Sequence, residues 1–204
     1  MNIEVMKIRS DQKSETRRLL LAAARTVFAR EGILATSMST VAREAGRSHG
    51  TAFVHFGTQA GLVSAVVEDF GLGLASDLHR LTEAGAPPGD VLRAHVKGLS
   101  VHEAFYTRLV VEGSLLPSEA RLSLIGIQSV LAHHLLPAFE AGSRAGLLKA
   151  VPPAFLFNSW IGLLHHYLSN RDLFAPGASV LERWGPELVE HFLFLIEIPK
   201  GGNL

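Results

Sequence analysis

The 204-residue chain sets 19 Lys and Arg against 19 Asp and Glu, so its formal net charge is zero and argues for neither a general polyanion binder nor an acidic tail. It contains no cysteine, which excludes disulfides, thiol redox chemistry and thiolate metal sites and suits a reducing cytoplasm. A hydrophobic share of 48% reads as globular, over a length that allows one large domain or two modest ones.

The opening stretch, MNIEVMKIRSDQKSETRR, has no apolar signal core and is too polar to anchor in a bilayer. Residues 14–31 then place Leu20, Ala23, Ala24, Val27 and Phe28 on one helical face, and Gly32 ends that helix. Ser37 is a candidate N-cap for a second helix carrying Met38, Val41, Ala42 and Ala45 at helical spacing, stopped at Gly46. Ser48 caps a third. Two short helices joined by so tight a glycine turn are the pattern of a helix-turn-helix, whose second helix carries side chains to base edges in the major groove.

Within that unit, Arg47, His49, Thr51 and Phe53 fall at the front of the recognition helix, Gly50 permits close backbone approach, and Val54 and Phe56 are expected to anchor the helix to the core. His49 and His55 read either as DNA contacts or as solvated surface histidines. Residues 1–60 hold nine Lys or Arg against five Asp or Glu, a positive surplus balanced by the rest of the chain. The leading arm with Lys7, Arg9 and Lys13 reads as a disordered tail in preference to a minor-groove strand.

A longer fourth helix is expected from Thr58 through GLVSAVVEDFGLGLASDLHRL, and Gly85-Ala86-Pro87-Pro88-Gly89 is the clearest break in the chain. Beyond it the spacing predicts helices at about 90–113, 118–146, 153–170 and 179–197. Pro152-Pro153 marks one start, and Ser179 with Glu182 forms a capping-box pattern at another. Residues 150–170 contain no Asp, Glu, Lys or Arg, yet prolines, Asn158 and two histidines interrupt them, so they read as a buried helix and not a membrane span. No run alternates with period two, and the fold class is all-α.

Residues 14–64, with LLLAAARTVFAREGILATSMSTVAREAG followed by RSHGTAFVHFGTQAGLVSAV, resemble the DNA-binding domain of the TetR family of bacterial transcriptional regulators. The resemblance implies an N-terminal three-helix DNA-binding domain (residues 1–60) and a larger helical domain for effector binding and dimerisation (residues 61–204). It also implies a homodimer on double-stranded operator DNA whose binding a small-molecule effector loosens; the chain reads as a repressor, and the composition of its later helices points to a largely apolar effector. Ser37 matches the family's phosphate-contacting hydroxyl, Ser48, Gly50 and Thr51 its recognition-helix opening, and His55-Phe56 its helix-end pair. Phe53 stands where the family usually has Tyr, Gln59 where Lys is common, and Arg47 where a small apolar residue is usual. The competing reading is a helical small-molecule binding or adaptor protein that keeps the fold without specific DNA binding.

Seven of the ten histidines follow residue 90, but adjacent helix residues point about 100° apart, so neither His133-His134 nor His165-His166 forms a chelate by itself. No metal or other cofactor is expected. His102-Glu103-Ala104-Phe105-Tyr106 begins like a zinc-protease helix but has Tyr where the second ligand is needed, and no nucleophile-elbow, P-loop or dinucleotide glycine pattern is present. The chain is not expected to be an enzyme. Phe105, Tyr106, Phe139, Phe155, Phe157, Trp160 and His165 suit an apolar pocket, with His102, Arg108 or Asn158 as the polar contact; the same aromatic residues would also fill a solid core. The resemblance places the dimer at the last two helices, whose segments Ala154 to Asn170 and Val180 to Ile198 are apolar around much of their circumference, with Leu164 and Leu193 as the residues where a charge is expected to give monomers.

Overall fold

A computed structural model describes residues 2–83 and 85–199, with side chains from Lys7 onward. The first helix, α1 (Asn2–Glu31), is longer than its apolar stripe. Leu20, Ala24, Val27 and Phe28 are fully buried, whereas residues 7–15 are exposed. The arm expected to be a disordered tail is therefore helical where it is described, and Lys7, Arg9 and Lys13 ride on α1. No glycine or proline interrupts residues 2–31, and Glu15 pairs with Arg18 at 2.6 Å, which favours continuing the helix. Gly32, at φ 98°, takes the left-handed conformation that ends it.

Two short helices follow, α2 (Met38–Glu44) and α3 (His49–Phe56), and then the 23-residue α4 (Gln59–Leu81). The larger part of the chain comprises α5 (Pro88–Ser100), α6 (Glu103–Glu112), a 3-10 turn (Gly113–Leu115), α7 (Ser118–Arg144), α8 (Pro153–Ser169), the short α9 (Arg171–Phe174) and α10 (Val180–Ile196). The architecture is all-α, and the one β feature among the described residues is a bridge between Leu148 and Glu197.

The single segment expected at about 90–113 is two helices. Val101 and His102 break it, with His102 N–H turned back onto the Leu99 carbonyl, and Val101 is exposed. The break lets α6 cross to the end of α1 while α5 stays against α10. Close contacts explain several glycines: a Cβ on Gly71 of α4 would stand 2.8 Å from Ile127 of α7, and one on Gly185 of α10 would stand 2.5 Å from Val96 of α5.

By length and composition α7, with a mean hydropathy of 1.4, is long and apolar enough to cross a bilayer. It packs instead along α4, α5 and α8, burying Ile127, Leu131, Leu135 and Phe139. The residue 150–170 segment is buried on one face only, since Phe155, Asn158, Ser159, Gly162 and His166 of α8 are exposed. Leu164 and Leu193 lie inside the subunit's own core, at 0% and 7% exposure, so a charge at either position acts on folding before it acts on any dimer. Apolar composition alone did not separate the covered faces of α8 and α10 from their exposed ones.

Candidate nucleic-acid interface

Each short helix begins on the cap its sequence suggests. Ser37 Oγ accepts the Thr40 N–H at 3.1 Å, and Ser48 Oγ accepts the Thr51 N–H at 3.1 Å. The serine hydroxyls in turn lie 3.0 Å and 2.9 Å from the Thr40 and Thr51 hydroxyls. Between the helices, Gly46 adopts φ 64° and Arg47 N–H returns to the Ala42 carbonyl at 2.8 Å, which closes the turn. Met38, Val41 and Ala42 are the buried side of α2.

Ala52 is the buried residue of α3, and Phe56, four residues on, packs beside it on the same face. Val54 is 76% exposed, contrary to the expected anchor, because two residues from Ala52 is about 200° of helix rotation. Phe53 is 57% exposed. The outer face of α3 thus presents Arg47, Ser48, His49, Gly50, Phe53 and Val54 to solvent, with Thr51 half-buried. A Cβ on Gly50 would meet no neighbour closer than Ser48 Oγ at 3.8 Å, so the subunit's own packing does not require glycine there.

Two ties went unread in the sequence. Ser39 of α2 places its hydroxyl 3.0 Å from His49 Nδ1, which orients the imidazole at the front of α3. The Gln59 amide donates to the Thr36 carbonyl at 2.8 Å, pinning the α1–α2 loop to the start of α4. His55 lies on the side of α3 toward α1; burial, then Lys13 and Arg17, hold its pKa below the ordinary histidine value. Arg17 lies 5.3 Å from the centre of the Phe56 ring, and Arg43 and Arg47 are exposed.

The residues expected around an effector divide into several environments. Tyr106 and His165 meet through the phenolic oxygen and Nε2 at 2.9 Å, and burial raises the tyrosine pKa and lowers that of the histidine. Trp160 is fully buried and donates its indole N–H to His95 Nδ1 at 3.1 Å. Phe105 stacks on Phe28 and meets Phe70 edge-on, while Phe139 packs near Phe192. Arg108 lies at the α1–α6 junction, 3.9 Å from Glu112, and Asn158 is on the exposed face of α8.

A cleft of about 350 Å³ between α1 and α6 borders His102 and Phe105. Another, of about 480 Å³, opens between the end of α4, the start of α5 and the second half of α7, where His79, Thr82, Val91, His134, Pro137 and Arg144 face it. None of those residues stood out for effector contact in the sequence, because helices distant in the chain bring them together. Among the described residues, no group of three or more His, Asp or Glu is placed to hold a metal ion.

The family model for bacterial regulatory proteins of the tetR family matches residues 20–66, from the buried face of α1 into α4. The HTH-type transcriptional repressor Rv3405c of Mycobacterium tuberculosis is 34% identical over 101 residues, a match spanning 50% of this chain and 50% of that protein. The chain therefore covers about half the length of the curated relatives it matches. Among solved structures, PfmR from Thermus thermophilus superposes with a TM-score of 0.70 at 21% identity, covering 86% of this chain and 97% of that one. AibR, solved in complex with isovaleryl coenzyme A and operator DNA, gives 0.68 at 20% identity, covering 88% and 97%. At these identities the two structures speak to the fold alone.

Proposed function

Because this chain belongs to the TetR family of bacterial regulatory proteins, we propose that it is a dimeric transcriptional repressor that leaves operator DNA when its larger helical domain takes up a small molecule. The observation that carries this reading is the outer face of α3. A capped helix start, exposed Arg47 and His49, and the exposed apolar side chains of Phe53 and Val54 stand opposite the buried Ala52. Arginine and helix N-termini suit phosphates and guanine edges, and an apolar side chain suits a thymine methyl group.

Two such faces at one-turn spacing require a two-fold partner. The outer sides of α8 and α10 support that role. Phe155 of α8 and Phe194 of α10 are 66% and 78% exposed, and the small exposed residues Ser159 and Gly162, one and two turns on from Phe155, leave room for a facing helix. The helix α4 links the two functions: its start packs on α1 and α3, and its end borders the cleft at His79 and Thr82. An effector that prefers a different α4 position lowers DNA affinity by linkage. A protein acting on the chromosome in this way works in the bacterial cytoplasm.

The test is titration of the purified protein against DNA from upstream of its own gene and against a scrambled duplex, over a salt series. Preference for the native sequence and a steep loss of affinity with salt support the reading. The second reading, a helical binding protein without specific DNA affinity, is favoured by Phe53, which lacks a phenolic hydroxyl, and by Gln59, whose amide is engaged by Thr36. Weak binding to all fragments in a genome-wide selection supports that alternative.

A further inference from the structure

His95 of α5 is 4% exposed and lies among apolar side chains. An indole N–H only donates, so the bond from Trp160 makes Nδ1 of His95 the acceptor, and the proton of the neutral ring sits on Nε2. Burial keeps the ring neutral, with its pKa pushed down to about 3. Among the described residues, the bond from Trp160 is the one hydrogen bond the His95 ring makes. The imidazole borders a chamber between α4, α5 and α7, walled by Leu74, Ala75, Leu78, Ile127 and Leu131 and closed to about 10 Å³. That space holds about one water molecule.

The chamber is the inner end of a longer groove. On α5, Val91 of the wide cleft and His95 of the chamber are four residues apart. On α7, Leu131 and His134 are three apart, and on α4, Leu78 and Thr82 are four apart, so the same three helix faces continue from one space to the other. Thr82 Oγ1 is also buried without a partner. Arg144 and the histidines belong to the mouth, and no ionisable group other than His95 lines the chamber.

We propose that the effector is an uncharged, mostly apolar molecule with one hydrogen-bond-accepting oxygen, which takes Nε2 of His95 as its donor at the inner end of this groove. The inference rests on the effector reading above and specifies its ligand class. A carboxylate finds no compensating charge in the chamber, and a pure hydrocarbon leaves the donor unpaired, so a ketone, ester or lactone oxygen is the matching group. The apolar body lies toward the mouth after Leu78 and Leu131 move aside.

The experiment is calorimetric titration with three probes of similar size: cyclohexyl methyl ketone, cyclohexanecarboxylate and ethylcyclohexane. The ketone is expected to bind at least about tenfold more tightly than either of the others. His95→Phe is expected to bring the ketone down to the hydrocarbon's affinity, and Ala75→Leu, which fills the chamber while leaving His95 and Trp160 unsubstituted, to abolish all three. Carboxylate binding as tight as the ketone's, a ketone preference that survives His95→Phe, or absence of ketone binding to folded protein at millimolar concentration each overturns the assignment. Operator binding is measured in parallel without any probe. Its failure overturns the repressor reading, whereas operator binding with no ketone response overturns the ligand class alone.

Discussion

The Glu112 carboxylate of α6 accepts the backbone N–H of Leu34 at 2.9 Å, across 78 residues of chain. Its other oxygen accepts the Ile33 N–H at 3.3 Å. These amides begin the loop between α1 and α2, so the larger helical domain holds the loop that leads into the DNA-reading unit. Glu112→Ala leaves two donors without their partner and is expected to lower stability by about 1–3 kcal/mol in urea unfolding, with Glu112→Gln retaining part of it. Unchanged unfolding in the alanine variant contradicts this role.

At its other end α6 caps α10. Glu103 accepts the Val180 and Leu181 N–H groups at 2.8 and 2.9 Å and the Ser179 hydroxyl; of the capping box read from Ser179 and Glu182 the serine half forms, Ser179 Oγ accepting the Glu182 N–H, and a carboxylate from another helix takes the next free amides. Glu103→Ala is expected to cost about 2 kcal/mol and to speed amide hydrogen exchange over the first turn of α10. Protection equal to wild type there shows that Ser179 suffices as the cap.

Operator affinity tests the outer face of α3. Arg47→Ala is expected to reduce the slope of log affinity against log salt by about 0.9, the share of one phosphate contact. Phe53→Tyr restores a phenolic hydroxyl on an exposed position and is expected to tighten binding by about 0.5–1.5 kcal/mol with little change in slope. A tyrosine variant that binds no better places residue 53 away from the backbone.

For the dimer, Phe194→Asp changes a residue that is 78% exposed in the subunit, whereas Leu164→Asp changes one that is fully buried. Sedimentation equilibrium is expected to give folded monomers for the first and unfolded or aggregated protein for the second. A stable Phe194→Asp dimer moves the interface off this face of α10.

Acid sensitivity follows from His95. Its folded pKa, about 3, lies below its ordinary value of 6.5, so between these limits the unfolded chain binds the additional proton. Stability from this group is present above pH 6.5 and is lost as pH falls toward 3, at up to about 1.4 kcal/mol per pH unit. His102, His134 and His165 are shifted in the same direction, each chiefly by burial. Urea unfolding across that range is expected to show a flatter pH dependence for His95→Phe, and an unchanged slope contradicts a neutral buried His95.

The local chain determined what depends on neighbours within a few residues. Ser37, Ser48 and Ser179 announce their helices because an N-cap needs a side-chain oxygen beside free amides, and Gly32 and Gly46 end theirs because those backbones turn left-handed. The helix-turn-helix was legible for the same reason, since its parts lie within about twenty consecutive residues. Val54 shows the limit even there: it was apolar enough for an anchor, but helix phase turned it outward. Tertiary structure alone decided which apolar faces are covered and which polar groups meet. Leu164 and Phe155 are both apolar residues of α8, yet packing buries one and exposes the other. The pairs Glu112–Leu34, Gln59–Thr36 and His95–Trp160 join residues 23 to 78 positions apart, and no local propensity specifies a hydrogen bond that only the assembled helices bring within 3.1 Å.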